Sequence, residues 1–398
     1  MHRERQLTIY VEGLTMAWGT GKGGSSGGGS GANDGGQGKH GGKKDPGDSK
    51  TNADHQSGKA DNKHKKDGWW ASAYAEAPVV TQINDGRESE DDPVPTSSLS
   101  DPGIVFRTLH MLDLRNGMRV LEIGTGPGWN AALMSHRLGP GLVTSVEVDP
   151  DVTASARSAL HELGLSPVVV CGDGSRGWAP GAPYDRVIAT CAFRSVPSEL
   201  ISQTVAGGSV LLPWDSPWTG WGLLLLTVGT DGDASGRFSP HSAFMLNRRQ
   251  RSGVRLYRDV VRDEHVPDES HTDLPAFEIA EDRGDLAFGI GMRLADVWQA
   301  WDNDPDVDGV ARRLWLATTD AKSWAAVDWA GDGTKGCTVW QHGPRRLWAE
   351  VAEAHAWWLA NDEPGPDRFG LTVAPDGSHS FWLDDPRTVV RSSAPPLE

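Results

Sequence analysis

The stretch MRVLEIGTGPGWNAALM, residues 118–134, decides the fold. Its first half is a short run of Val, Leu and Ile of the kind that forms a buried strand, and NAALMSHRL, which continues it, has helical signals. Between the two, Gly124, Gly126 and Gly128 stand directly before the helix. Glycine lets a backbone turn sharply and lets a ligand approach the main chain without meeting a side chain, while the helix N-terminus offers free N–H groups. Taken alone, the triplet fits a nucleotide pocket or a tight strand-to-helix turn.

Outward from this segment, the same alternation runs from about Ile104 to Leu212. LVTSVEV, SPVVVCG, DRVIATC and SVLLPW read as further strands, each stopped by Gly, Pro or Asp, and PDVTASARSALHELG and VPSELISQTV read as helices between them. Pro150 sits at a first helical turn beside Asp149 and Asp151, and Gly164 stands where a left-handed cap belongs. Strand, helix and strand in repetition require crossover connections and a parallel sheet covered on both faces. The expectation is a doubly wound, Rossmann-like α/β domain over residues 69–229, with order beginning near Trp69 and Trp70.

Beyond about Thr230 the pattern changes to scattered tryptophans, the strand-like runs RRLWLATT, SWAAVDWA and CTVWQH, and one helix from Pro344 to Asn361 with Leu347, Val351, Ala354 and Trp358 on one face. Residues 230–398 therefore read as a C-terminal α+β extension. Its tryptophans are expected as core and interface filler, because a base-stacking platform would interleave them with Lys and Arg. Residues 1–68 are low-complexity, rich in Gly, Ser, Lys and Asp, and are expected to be a disordered tether; a stray metal at His40, His55 and His64 is the weaker reading.

A formal charge of −16 argues against a general phosphate-binding surface, so no nucleic-acid partner is expected. Cys171, Cys191 and Cys337 lack the spacing of a zinc site or a disulfide framework, and no metal is expected. No segment approaches the roughly 18 consecutive apolar residues of a membrane span. The default expectation is a cytoplasmic enzyme with no membrane partner.

Two acids turn the glycine triplet into a pocket. The second strand ends in VEVDP, which puts Glu147 about 20 residues past the glycines, where a carboxylate can accept hydrogen bonds from both ribose hydroxyls. The third strand ends in CGDG, so that Asp173, followed by Gly174, reaches the adenine end of the same cleft. Asp149 directly precedes Pro150 and reads as a helix cap. The spacing GxGxG, where nicotinamide folds use GxGxxG, makes nicotinamide cofactors the weaker choice.

From about Trp69 to Arg251 the chain resembles the protein-L-isoaspartate (D-aspartate) O-methyltransferases. The resemblance rests on TSSLSDPGIV, VLEIGTGPGWNAALM, VTSVEVDP, VVVCGDGSRGW, APYDRVIATCAFRSVPSELISQTVAGGSVLLPW and FMLNRRQR, in that order. Within the family it looks most like the actinobacterial branch found with ribosomally made peptides, ATP-grasp-linked or lanthionine-containing. GPRRLWAEVAEAHAWWLANDEPGPDRFGLTVAPDG is similar to that branch's extra domain.

The resemblance implies S-adenosyl-L-methionine as cofactor, held by Gly124, Thr125, Gly126, Gly128, Glu147, Asp173 and Gly174. It implies a peptide or protein substrate bearing Asp or isoaspartate. In the block TSSLSDP, Ser100 occupies the family's active-site hydroxyl position, and Asp101, where the family usually has Gln, joins it in the expected catalytic set as an additional carboxylate near the substrate. Thr190, and Arg248 with Gln250, are candidates for orienting the acceptor. The expected activity is esterification of an aspartyl or isoaspartyl carboxylate, leading to an aspartimide during peptide maturation; repair of isoaspartyl proteins and a catalytically weak scaffold are the alternatives. Low-complexity sequence replaces the family's helical segment before the active-site turn.

Overall fold

The computed structural model describes residues 75–88, 94–240, 243–251, 254, 256–280, 284–294, 296–331 and 336–394. The expected tether, its histidines and the onset of order at Trp69 and Trp70 lie outside them.

The chain enters through a hairpin, β1 (Val79–Ile83) and β2 (Pro95–Leu99), followed by helix α1 (Pro102–Met111). The alternation read from the sequence then appears as β3 (Val120–Ile123), α2 (Trp129–Leu138), β4 (Val143–Glu147), α3 (Pro150–Glu162), β5 (Val168–Cys171), β6 (Tyr184–Ala189), α4 (Ser198–Ser202) and β7 (Thr204–Pro213). These five strands, β3 to β7, are parallel and lie in the order β5-β4-β3-β6-β7. Every residue of β3 and β4 is buried, as expected of central parallel strands covered on both faces. Leu112, Met134 and Leu138 pack against Val120, Val143 and Ile188 on one face, while Leu121, Ile123 and Val187 join Phe193 and Leu200 on the other. Asp149 caps α3 by accepting from the Asp151 and Val152 amides, and Gly164 takes φ +68° just beyond the helix end.

Helix α4 is shorter than VPSELISQTV suggests. It stops at Ser202 because β-branched Thr204 and Val205 already belong to β7, where Thr204 pairs with Tyr184.

The expected division at residue 230 is not where the structure divides. The parallel sheet continues through β8 (Leu223–Val228), β9 (Ala234–Ser239), β15 (Phe369–Val373), β16 (His379–Leu383) and β17 (Val389–Ser393), all antiparallel, to make one ten-stranded sheet. Residue 230 lies in the turn between β8 and β9, and their buried Leu224, Leu226, Val228, Ala234 and Phe238 share one core with Val210 and Leu212 of β7. The separate unit sits between β9 and β15. It is a five-stranded antiparallel sheet, β10 (Asp268–Thr272), β11 (Val297–Asp302), β12 (Arg312–Thr318), β13 (Trp324–Trp329) and β14 (Cys337–His342), in the order β10-β14-β13-β12-β11. Helices α5 (Ala276–Ala280), α6 (Gly284–Arg293) and α7 (Leu347–Ala360) cover one face through Ile290, Trp348 and Val351; a π-helical turn, Leu256–Val260, packs on Trp315 and Trp324 of the other.

Among the described residues eight tryptophans are buried, and six of them, Trp214, Trp218, Trp301, Trp315, Trp324 and Trp348, belong to these cores. Phe288 of α6 stacks edge-on against Phe238 of β9 and Phe369 of β15, which fastens the inserted unit to the large sheet. No helix of the described residues is long and apolar enough to cross a membrane.

Candidate active site

In the large sheet the strand order reverses at β3, which has β4 on one side and β6 on the other. Ligands of open α/β sheets bind beyond the carboxyl ends of the strands at such a point. Register brings the key positions together there: Ile123 pairs with Val146 and with Ala189, so Gly124, Glu147 and Thr190 are neighbours across three strand ends. A cavity of about 950 Å³ opens above them. It is lined by Ser100, Asp101, Gly124, Thr125, Gly126, Glu147, Asp173, Gly174, Thr190 and Arg248, but not by Gly128 or Gln250.

Glu147 is 8% exposed and is aimed by two backbone donors: Gly126 N–H to Oε2 at 2.9 Å and Asp149 N–H to Oε1 at 3.1 Å. A carboxylate has about four acceptor sites, so each oxygen keeps capacity for one ligand hydroxyl. Gly124 takes φ +93°, and a Cβ there would stand 2.8 Å from Thr190 Oγ1. Gly126 takes φ +51°, with Ser98 O 3.5 Å from a Cβ position. The turn is thus a backbone cradle that side chains would fill, beside a buried carboxylate, and these residues fit a ribose-bearing cofactor. Asp173 Oδ1 accepts from Ser175 N–H at 3.0 Å and Oδ2 lies 3.4 Å from Arg249 Nε. Gly174 is needed for packing, because a Cβ would come within 2.4 Å of Ile123 Cγ2.

Several expected contacts have other partners. Gly128 faces away from the cavity: it starts α2 with φ +92°, and a Cβ would meet Leu160 of α3 at 3.3 Å. Asp101 caps α1, its Oδ1 accepting from Gly103 N–H at 2.6 Å and Ile104 N–H at 3.2 Å. The Thr190 hydroxyl donates to the Gly124 carbonyl at 2.5 Å and so fixes the glycine turn. Gln250 lies in the next loop, where its oxygen accepts from Arg194 N–H at 2.6 Å and its amide donates to Ser195 O at 3.0 Å. The Arg248 guanidinium is held by Asp85 and Asp149. Ser100, directly after β2, lines the cavity.

The structure also adds residues. Trp129, Cys191, Trp221, Phe244 and Arg249 line the cavity, as does Gly284 from the inserted unit. Arg249 and Phe244 belong to the block FMLNRRQR, which was the signal available for them; Trp221 and Gly284 have no such signal. Burial pushes the Cys191 thiol up to about 12, with the Glu147 charge adding to it, so the sulfur stays protonated at neutral pH.

Beneath the glycine turn, Thr125 Oγ1 donates to Ser145 Oγ at 2.6 Å and Ser145 Oγ donates to Glu122 Oε2 at 2.5 Å. Thr125 therefore points its hydroxyl into the sheet. Glu122 is fully buried, which raises its pKa to about 7 against the hydrogen bond from Ser145. The Asn130 amide is near enough to favour the charged form, yet neither it nor Glu122 Oε1 completes a well-formed hydrogen bond.

The family model described as Protein-L-isoaspartate(D-aspartate) O-methyltransferase matches residues 62–220. A protein-L-isoaspartate O-methyltransferase of Thermococcus sibiricus is 38% identical over 156 residues, 38% of this chain and 70% of that protein. One of Ignicoccus hospitalis is 41% identical over 129 residues, 31% of this chain and 61% of that protein. A solved structure titled protein-L-isoaspartate O-methyltransferase covers 79% of this chain and 89% of its own at 21% identity, with a TM-score of 0.46. The chain thus spans about three-fifths to seven-tenths of the length of these two curated relatives. With the Thermococcus protein matched over more than two thirds of its length, the chain belongs to the protein-L-isoaspartate (D-aspartate) O-methyltransferase family, whose cofactor is S-adenosylmethionine.

Proposed function

We propose that the protein methylates the free α-carboxylate of an isoaspartyl residue in a peptide or protein. The observation that carries this reading is the convergence on one cavity of a glycine cradle, a buried carboxylate with free acceptor capacity, and the serine-bearing turn after β2. When bound, S-adenosylmethionine supplies an electrophilic methyl group on a sulfonium, which a carboxylate oxygen takes by in-line displacement, leaving a neutral thioether.

Glu147 holds the ribose hydroxyls, and Gly124 and Gly126 admit the cofactor against the backbone. Asp173, which also lines the cavity, would receive the adenine end. Ser100 orients the acceptor carboxylate by donating its hydroxyl. No general base is required, because the acceptor is already ionised at neutral pH. Positioning and exclusion of water are what the cavity contributes, and the protonated Cys191 does not compete for the methyl group.

An ester formed on isoaspartate closes to a succinimide when the neighbouring backbone nitrogen attacks it and methanol leaves. That outcome serves repair when the substrate is a damaged protein and maturation when it is a constrained peptide. The curated relatives are named for the isoaspartyl acceptor, which supports the repair-type reading better than the maturation expected from the C-terminal run. Mass spectrometry tests it: an isoaspartyl peptide incubated with protein and S-adenosylmethionine should gain about 14 Da, the mass of a methylene, and its aspartyl isomer should not. Methylation only of constrained aspartyl peptides would replace repair by maturation.

A further inference from the structure

Arg248 is the hub of a polar clasp that the proposed reaction does not use. Its Nε lies 3.0 Å from Asp85 Oδ1 and its Nη1 3.1 Å from Asp149 Oδ2. Nη2 donates to Gln82 Oε1 at 2.8 Å and to the Thr96 carbonyl at 3.4 Å. Gln82 completes the ring by donating Nε2 to Asp149 Oδ2 at 3.0 Å, and Arg251 adds a 3.2 Å pair with Asp85. The partners come from β1 and the turn after it, from β2, and from the cap of α3. The Arg248 side chain is 22% exposed and that of Asp149 8%, so solvent screens these contacts less than it screens an exposed pair. Burial works to raise the Asp149 pKa, but hydrogen bonds from Gln82, the Val152 amide, Arg248 and the Asp151 amide outweigh it and hold the carboxyl below its ordinary value.

The clasp holds the roof of the cavity. Strand β2 passes over the glycine turn, with Ser98 O and Ser97 Oγ the nearest atoms to a Cβ on Gly126, at 3.5 and 3.7 Å. The same strand leads directly into Ser100. At the other end, Asp149 donates its N–H to Glu147 Oε1. One guanidinium therefore joins the acceptor turn to the strand end that carries the ribose-binding carboxylate.

We propose that Arg248 is a positioning residue that clamps the β1–β2 hairpin over the bound nucleotide, so that cofactor and product exchange only when the clasp opens. The proposal rests on the cofactor reading of the Glu147 pocket. Arg248 does not touch the reacting atoms; it fixes the distance between the donor and Ser100.

The test uses the full chain as wild type and as Arg248→Met, Arg248→Lys, Asp85→Asn and Glu147→Ala. Stopped-flow release of S-adenosylhomocysteine, calorimetric affinity and hydrogen exchange are measured on each. Arg248→Met should release S-adenosylhomocysteine about tenfold faster, since it removes the ion pairs with both Asp85 and Asp149. Exchange should rise over β1 and β2 while β3 and β4 stay protected. Arg248→Lys should recover part of the effect, since an ammonium can reach Asp149 but cannot span the fork, and Asp85→Asn should show a smaller acceleration. Unchanged release in Arg248→Met overturns the proposal. If Arg248→Met loses protection throughout the sheet, Asp85→Asn decides in its place, and unchanged release there overturns it. Should Glu147→Ala abolish binding while neither clasp variant alters release, the cofactor reading stands and the clasp fails; should Glu147→Ala bind normally, the cofactor reading itself fails.

Discussion

Replacing Glu122 by Gln should stabilise the protein at pH 8 and leave it nearly unchanged below pH 4.5. The carboxyl is fully buried in β3, and burial raises its pKa from an ordinary 4.5 to about 7. Below pH 4.5 both the folded and the unfolded chain hold the proton, and the group costs nothing through ionisation. As the pH rises from 4.5 to 7 the unfolded chain releases the proton while the folded chain retains it, so stability falls. The loss is complete above the folded value. At about 1.4 kcal/mol per pH unit the whole loss is about 3 kcal/mol. Glutamine removes the ionisation and keeps an oxygen for the Ser145 hydroxyl. Urea unfolding of both proteins at pH 5 and pH 8 measures the effect, because groups common to both cancel in the difference. If the stability difference is the same at the two pH values, Glu122 does not titrate as its burial requires and the reasoning is wrong.

Glu147→Ala should weaken S-adenosylmethionine binding by about 1–3 kcal/mol, the range for leaving hydrogen-bonding groups unpaired, as read by calorimetry; unchanged affinity in a folded variant would place the ribose elsewhere. Gly128→Ala should cost about 1–2 kcal/mol of stability through its left-handed backbone and leave cofactor affinity unaltered, which denaturation and calorimetry on the same sample would check. Truncation after Thr230 should give aggregated protein, because it strips β9 and β15–β17 from the large sheet and bares Leu224, Leu226 and Val228. A soluble, monomeric truncation by size-exclusion chromatography would contradict the continuous sheet.

The parallel half of the fold was legible because its strands are short Val, Leu or Ile runs, fully buried in β3 and β4, and α-helices fill three of the four crossovers between them. The antiparallel half was not, since β9 finds β15 across some 130 residues and nothing local in ASGRFS or FGLTV names the partner. Around the site, Glu147 and Asp173 could be read because strand ends and glycines mark them. Asp101 is more instructive. It precedes Pro102 as Asp149 precedes Pro150, and the same Asp-Pro signature that marks Asp149 as a cap marks Asp101 as one too. Arg248 and Gln250 resisted for a different reason: their partners Asp85, Asp149 and Ser195 come from distant segments, and charge alone does not say whether an arginine meets a substrate or another residue of its own chain.

The module of β10–β14 leaves the large sheet after Ser239 and returns at Phe369, and the pairing of Arg237 with Gly370 puts both junctions at the same end of two adjacent strands. A unit tethered at one point can swing; one tethered at two neighbouring points, with Phe288 wedged between them, is left with little more than a rocking motion. Since Gly284 of this unit lines the cavity with Ser100, a peptide substrate of the kind proposed would meet a wall whose orientation is set before it arrives. Selection among the proposed substrates would then work by the shape of that wall, and the polypeptide that carries the carboxylate would have to adapt its backbone to the protein.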